Sequence, residues 1–224
     1  MKSTVVVGAA VVGALAFARR RLRNFGATRA ESRTFLPGDE IVSGAKSPST
    51  MAVTIDVPPS EVWPWLVQMG CDRAGFYSWD RLDNGGRPSA TEIHPEWQDL
   101  EVGDRMLCTP DSRYWFRVGR LEPERLLVLR SSIDVRGHTP FDPAGPRPRF
   151  SVDGVWTFVL DELPDGKTRL VVRSSGAVRP RLLLSAGNLL FWDPAHVVMQ
   201  TRQLRNLKRL AESPLQEPVL VAAV

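Results

Sequence analysis

The sequence predicts an α+β domain, an antiparallel sheet followed by a long C-terminal helix. Three observations carry this. Met51, Val53, Ile55 and Val57 alternate with Ala52, Thr54 and Asp56, the period of a strand with one buried face. Further strand runs separated by turn residues recur from Arg105 to Val178. From Pro194 to Glu212 the pattern changes to an amphipathic helix, with Met199, Leu204, Leu207, Leu210 and Ala211 on an apolar flank. Arg202, Arg205, Lys208 and Arg209 form the solvated one.

The chain begins with Ser3–Ala18, an uncharged stretch of sixteen residues. As a helix it reaches about 24 Å, short of the roughly 30 Å hydrocarbon core of a bilayer, and Lys2 and Arg19 extend that reach by snorkelling. The arginines at 19, 20, 21 and 23 place its C-terminal side in the cytoplasm. Residues 1–23 are therefore expected to be a single-pass membrane anchor with a basic flank. The alternative is an exported protein whose signal peptide is cleaved after a small-x-small site such as Ala16-Phe17-Ala18. Residues 24–49 read as a connector, with a turn at Leu36-Pro37-Gly38-Asp39, expected to pack along the domain.

The folded domain is expected over residues 50–212. Pro58 and Pro59 stop the first strand, and Ser60 is the candidate N-cap of a short helix. Val62, Trp65, Leu66 and Met69 fall on one stripe of that helix, and Gly70 ends it. Cys71–Leu100 is irregular and aromatic, suited to a cavity wall or to core under the sheet. Strands follow at Arg105–Cys108, Trp115–Leu121 and Leu126–Ser132. Asp134–Asp153 is a long Pro-rich loop, read either as a lid or as a surface insertion. Trp156, Phe158 and Leu160 open a hairpin that turns at Leu163–Lys167 and returns over Thr168–Val178. In the returning strand, apolar residues fall on both faces, so the pattern leaves its register open. Leu182–Trp192 is strongly apolar, suited to core, a cavity entrance or a bilayer surface. Asp193-Pro194 opens the last helix, and residues 213–224 read as a flexible tail.

Composition narrows the function classes. The formal charge is +4, but residues 1–33 carry +6, which leaves −2 on the rest. A nucleic-acid-binding domain would hold its basic excess on the fold itself, so no nucleic-acid partner is expected. Cys71 and Cys108 are the only cysteines and are expected to be reduced thiols.

The strand, double proline and short amphipathic helix at Thr50–Gly70 resemble the opening of the START-like (SRPBCC) superfamily. Its members include polyketide cyclase/dehydrases, pollen-allergen-type proteins and lipid-transfer domains. The Leu100-x-Val102-Gly103-Asp104 turn and the Asp193-Pro194-Ala195-His196 helix start resemble an uncharacterised bacterial branch. The resemblance implies a helix-grip fold, a curved sheet wrapped around the C-terminal helix with an apolar cavity between them. It also implies a hydrophobic small molecule or lipid as ligand, or a cyclase/dehydratase-type reaction on a polyketide-like substrate.

The residues themselves name no reaction. There is no G-x-S-x-G, P-loop or G-x-G-x-x-G motif, and His94, His138 and His196 lack metal-ligand spacing, so no cofactor or metal is expected. An acid or base in an apolar cavity would suffice for simple chemistry, and His94, His196, Tyr77, Glu92 and Asp99 are the titratable candidates. The cavity candidates are Tyr77, Trp79, His94, Trp97, Arg130, Trp156, Arg173 and His196. The two arginines are included to anchor an anionic headgroup if their strand faces turn inward.

Overall fold

The computed structural model describes residues 21–45, 49–180 and 193–213. Seven strands form one antiparallel sheet: β1 (Ser49–Ile55), β2 (Arg105–Leu107), β3 (Trp115–Glu122), β4 (Leu126–Asp134), β5 (Thr139–Pro140), β6 (Ser151–Glu162) and β7 (Thr168–Arg179). Their order is β1-β7-β6-β4-β3-β2, with the short β5 added to the end of β4. The helices are α1 (Pro59–Val67), the single turn α2 (Asp80–Asp83) and α3 (Asp193–Ala211). The curved sheet and C-terminal helix are consistent with a helix-grip arrangement.

The first helix corrects the expected cap. Its N-cap is Pro58, extended at φ −68° and ψ 161°, and no side chain caps it. Pro59 at the first helical position has no N–H to satisfy and brings a preset φ, so the Ser60 hydroxyl is not needed. Gly70, at φ +139°, lets the chain turn out of the helix where a side chain would be strained.

The pairing of β6 with β7 settles the open register. Phe158 lies opposite Val172 and Leu160 opposite Leu170, while Thr157 lies opposite Arg173. Leu170 and Val172 thus share the inner face with Met51, Ile55, Leu127, Leu129, Phe158 and Leu160, all buried in one core with Leu204, Leu207, Leu210 and Ala211 of α3. Each such side chain contributes roughly 1.5–3 kcal/mol of burial. This core explains why α3 is apolar along its second half.

The outer face is also covered. Residues 24–45 run across it, placing Val42 and Ile41 on Leu126, Val128 and Val155 in a second apolar cluster. Gly38, at φ +100°, passes so close that a Cβ there would meet the Thr157 hydroxyl at 2.7 Å. The Thr157 hydroxyl donates to the Pro37 carbonyl at 3.2 Å. Arg169 pairs with Glu31 at 2.8 Å, and that guanidinium holds the Glu31 carboxyl down at about 2. The Pro-rich loop after β4 also meets this face: Arg147 pairs with Asp153 at 3.1 Å and donates to the Ala177 carbonyl. Residues 3–18 and 182–192, the two most apolar stretches of the sequence, lie outside the described residues. Among the described residues, no helix is long and apolar enough to cross a membrane.

Candidate ligand-binding site

Strand alternation divides the inner face into two halves. In the lower half, Phe158, Leu160, Leu170 and Val172 are buried under the leucines of α3. In the upper half the same rows continue as Val152, Gly154 and Trp156 on β6, Ser174, Gly176 and Val178 on β7, and Ser131 and Ile133 on β4. Every one of these is only half-buried. Their outward neighbours Ser151, Asp153, Val155 and Thr157 are fully buried. The inner face is therefore the more open one at this end. Among the described residues, a Cβ placed on Gly154 would meet a single heavy atom within 4 Å, the Ser175 carbonyl oxygen at 3.6 Å.

Aromatic rings floor this opening. Trp156 lies 4.7 Å from Phe158, 5.5 Å from Phe116 and 6.1 Å from Phe76 between ring centres. Such tilted ring pairs add about 0.5–1.5 kcal/mol beyond area burial. The buried face of α3 changes to match. Below it presents leucines; above it presents Gln203, Gln200 and, one turn further, the half-buried His196. The Trp156 indole Nε1 donates to Gln200 Oε1 at 3.0 Å, Gln200 Nε2 donates to Gln203 Oε1 at 2.6 Å, and Gln203 Nε2 donates to the Phe76 carbonyl at 3.0 Å. Both glutamines are buried, so this chain satisfies amides that would otherwise cost about 1–3 kcal/mol each.

The wall from Phe76 to Ser78 is clipped to α3. Gln203, Asn206 and Arg202 donate in turn to the carbonyls of Phe76, Tyr77 and Ser78, the last two at 2.8 Å. Tyr77 adopts φ 57°, and its buried ring packs edge-on against Trp65 at 5.9 Å. Its hydroxyl accepts from Gln68 Nε2 at 2.9 Å, and burial pushes its pKa up, so it stays neutral.

Of the eight cavity candidates, Trp156 and His196 thus belong to the upper inner half, and Tyr77 lies in the core behind its wall. The others are elsewhere. His94 stacks on Trp97 at 4.2 Å, with Glu96 3.3 Å from its ring, in a surface knot beside α1. Trp79 is exposed beside α3, under the Arg202 guanidinium at 4.0 Å. Arg130 and Arg173 do not turn inward. Arg130 pairs bidentately with Asp153 at 2.9 and 3.0 Å, and Arg173 pairs with Asp39 at 2.5 Å, both on the outer face. The strand alternation that sends Trp156 inward sends Val155 and Thr157, and with them these arginines, outward. Glu92 and Asp99 are exposed.

Nothing in the residue pattern singles out Gln68, Gln200 or Gln203, because glutamines on amphipathic helices are usually solvated. Buried Gln68 also accepts from the His94 N–H at 3.0 Å and donates to the Glu92 carbonyl at 3.1 Å. Asp83 was equally silent. Both its carboxylate oxygens are inaccessible to solvent. Burial raises its pKa to about 6; the Ser78 hydroxyl opposes the rise and Asp80 adds to it. A carboxyl raised on folding contributes stability that is complete below pH 4 and lost as pH climbs through about 6. Asp83→Asn is therefore expected to leave stability at pH 4 unchanged and to gain about 1–2 kcal/mol at pH 8, after allowing for partial solvation. Urea melts at the two pH values check this.

Two depressions bounded by described residues lie away from this half. One, about 260 Å³, is lined by Cys71, Asn84, Arg87 and Thr109, and the other, about 410 Å³, by Pro58, Pro123 and Glu162. Cys71 and Cys108 are free thiols, and burial raises both pKa values.

No protein-family model matches the chain, and no curated protein matches it. Solved structures with a related outline include protein MLL2253 from Mesorhizobium loti, 21% identical over 72% of this chain and 95% of that one, with a TM-score of 0.40. Protein CV1439 from Chromobacterium violaceum is 15% identical over 75% of this chain and 98% of that one, with a TM-score of 0.42. CalU16 from Micromonospora echinospora is 17% identical over 75% and 85% of the two chains, with a TM-score of 0.33. These are distant likenesses.

Proposed function

We propose that the domain binds an apolar small molecule or lipid against Trp156 on the upper inner face of its sheet, and that residues 3–18 tether it to a membrane. The observation that carries the ligand reading is the open strip above Trp156, where Gly154 has one neighbour among the described residues within reach of a Cβ. Well-packed interiors leave few such spaces. An apolar floor with a few convergent polar groups is what a small-molecule site requires. Here the floor is Trp156, Phe116 and Phe76, and the polar groups are Ser131, Ser174 and His196.

His196 favours a second reading, catalysis in the same space by proton transfer. Among the titratable candidates it alone sits on the site-facing stripe of α3, since Glu92 and Asp99 are exposed and His94 lies in the surface knot. Imidazole suits the task because its ordinary pKa lies near neutrality.

Native mass spectrometry of the gently purified full chain, followed by solvent extraction, tests the ligand reading. A retained lipid or polyketide-sized mass is the expected result. A clean unliganded mass, together with failure to take up a hydrophobic dye, contradicts it. If the extracted molecule is transformed by the protein, His196→Gln should keep retention and abolish conversion.

A further inference from the structure

The outer stripe of α3 is a second, unrelated feature. Val198, Arg202, Arg205 and Arg209 are spaced i, i+4, i+7 and i+11 and are all exposed, so they share one side of the helix. Exposed apolar side chains flank that stripe on both edges. On one edge Trp79 lies under Arg202 at 4.0 Å, with Leu82 three residues on; on the other Phe25 lies under Arg205 at 5.7 Å, with Leu22 beside it. These apolar side chains, with Val198, are between 42% and 72% exposed. Arg205 and Arg209 have no carboxylate partner among the described residues. Asp80 and Glu212, on the flanking elements, are engaged by Ser89 at 2.7 Å and Lys208 at 2.6 Å.

We propose that this face of α3 docks on the surface of an anionic lipid bilayer, the guanidinium groups meeting headgroup phosphates while Trp79, Leu82, Val198, Phe25 and Leu22 enter the interface. Arginine supplies charge complementarity to any polyanion. The interleaved Trp, Phe, Leu and Val select the bilayer, because nucleic acid offers no apolar layer for them. The uncharged stretch 3–18 ends at Arg19, six residues before Phe25, so the chain leads from an apolar segment directly to this face. The proposal is independent of what occupies the inner face.

The test uses the full chain carrying Val198→Cys labelled with an environment-sensitive dye, with the unsubstituted chain taken through the same labelling as control. Because residues 3–18 are proposed to hold the chain on any bilayer, the readout is the difference between lipids: phosphatidylcholine vesicles containing 30% phosphatidylserine are expected to give a larger blue shift than pure phosphatidylcholine vesicles. That excess should fade in 0.5 M salt. Arg205→Gln with Arg209→Gln should raise the lipid concentration for half-maximal shift on the anionic vesicles about 25-fold, each arginine counting for a factor of about five. Neither arginine makes a structural hydrogen bond among the described residues, so the double variant should melt like the parent. Equal shifts on neutral and anionic vesicles, no change in the double variant, or a comparable shift with a DNA duplex in place of vesicles would each overturn the proposal.

Discussion

Arg173→Ala is expected to cost about 3–5 kcal/mol of stability, the range for removing one partner from a buried ion pair. Arg173 is 3% exposed. Its guanidinium donates to Thr50 Oγ1 at 3.0 Å, to the carbonyls of Thr34 and Glu31 at 2.8 and 2.6 Å, and to Asp39 at 2.5 Å. It is thus the post to which residues 31–39 are tied. Truncation leaves the carbonyls of Thr34 and Glu31 without their donor and leaves Asp39 with the Leu36 N–H alone. Arg173→Lys restores the charge but not the fork, since an ammonium cannot reach four acceptors spread across a plane. Its loss should be intermediate. Urea denaturation of the three proteins, with hydrogen exchange across residues 24–45, checks both effects. A loss under 1 kcal/mol for the alanine variant would show that the connector does not hold the outer face.

Trp156→Ala is expected to act on both stability and binding. The indole packs on three other rings and is the donor to Gln200 Oε1. Its removal should cost about 2–4 kcal/mol, near the low end for a large aromatic because the ring is half-buried. It should also weaken uptake of a hydrophobic dye at least tenfold, about 1.4 kcal/mol, the scale of an aromatic binding anchor. Trp156→Phe separates the two effects. It keeps most of the apolar floor and leaves Gln200 short of one donor, so binding should change less than stability. Denaturant melts and dye titrations on the same preparations read the two quantities.

Much of this fold was legible because it rests on period and punctuation. The alternation of Met51, Val53 and Ile55, the double proline, the hairpin at Leu163–Lys167 and the amphipathic α3 each mark themselves locally. The pattern could not show what depends on a partner in space. The two-faced burial of β7 depends on the connector: Arg173 is inside because residues 31–39 lie over it. Arg130 and Arg173 reach a cavity only if their strand faces turn inward, and strand pairing turns both outward. Alternation puts Trp156 on the same strand face as Phe158 and Leu160, and the Asp193-Pro194 helix start puts His196 on the first turn of α3. Gln200 and Gln203 were missed, since a buried amide is recognisable only when the ring or carbonyl that satisfies it is in view.

The most direct test of a ligand site on the upper inner face is Gly154→Leu, measured as a dye-binding isotherm beside a urea melt. Gly154 keeps a φ open to any residue, and among the described residues a Cβ there has ordinary contact with one carbonyl oxygen. If the space above Trp156 is a binding site, leucine occupies it. Dye binding then falls at least tenfold while the melt moves by less than 1 kcal/mol. If that space is packed core instead, leucine overfills it. The melt then falls by about 1–3 kcal/mol, and any dye binding shown by the parent continues unchanged.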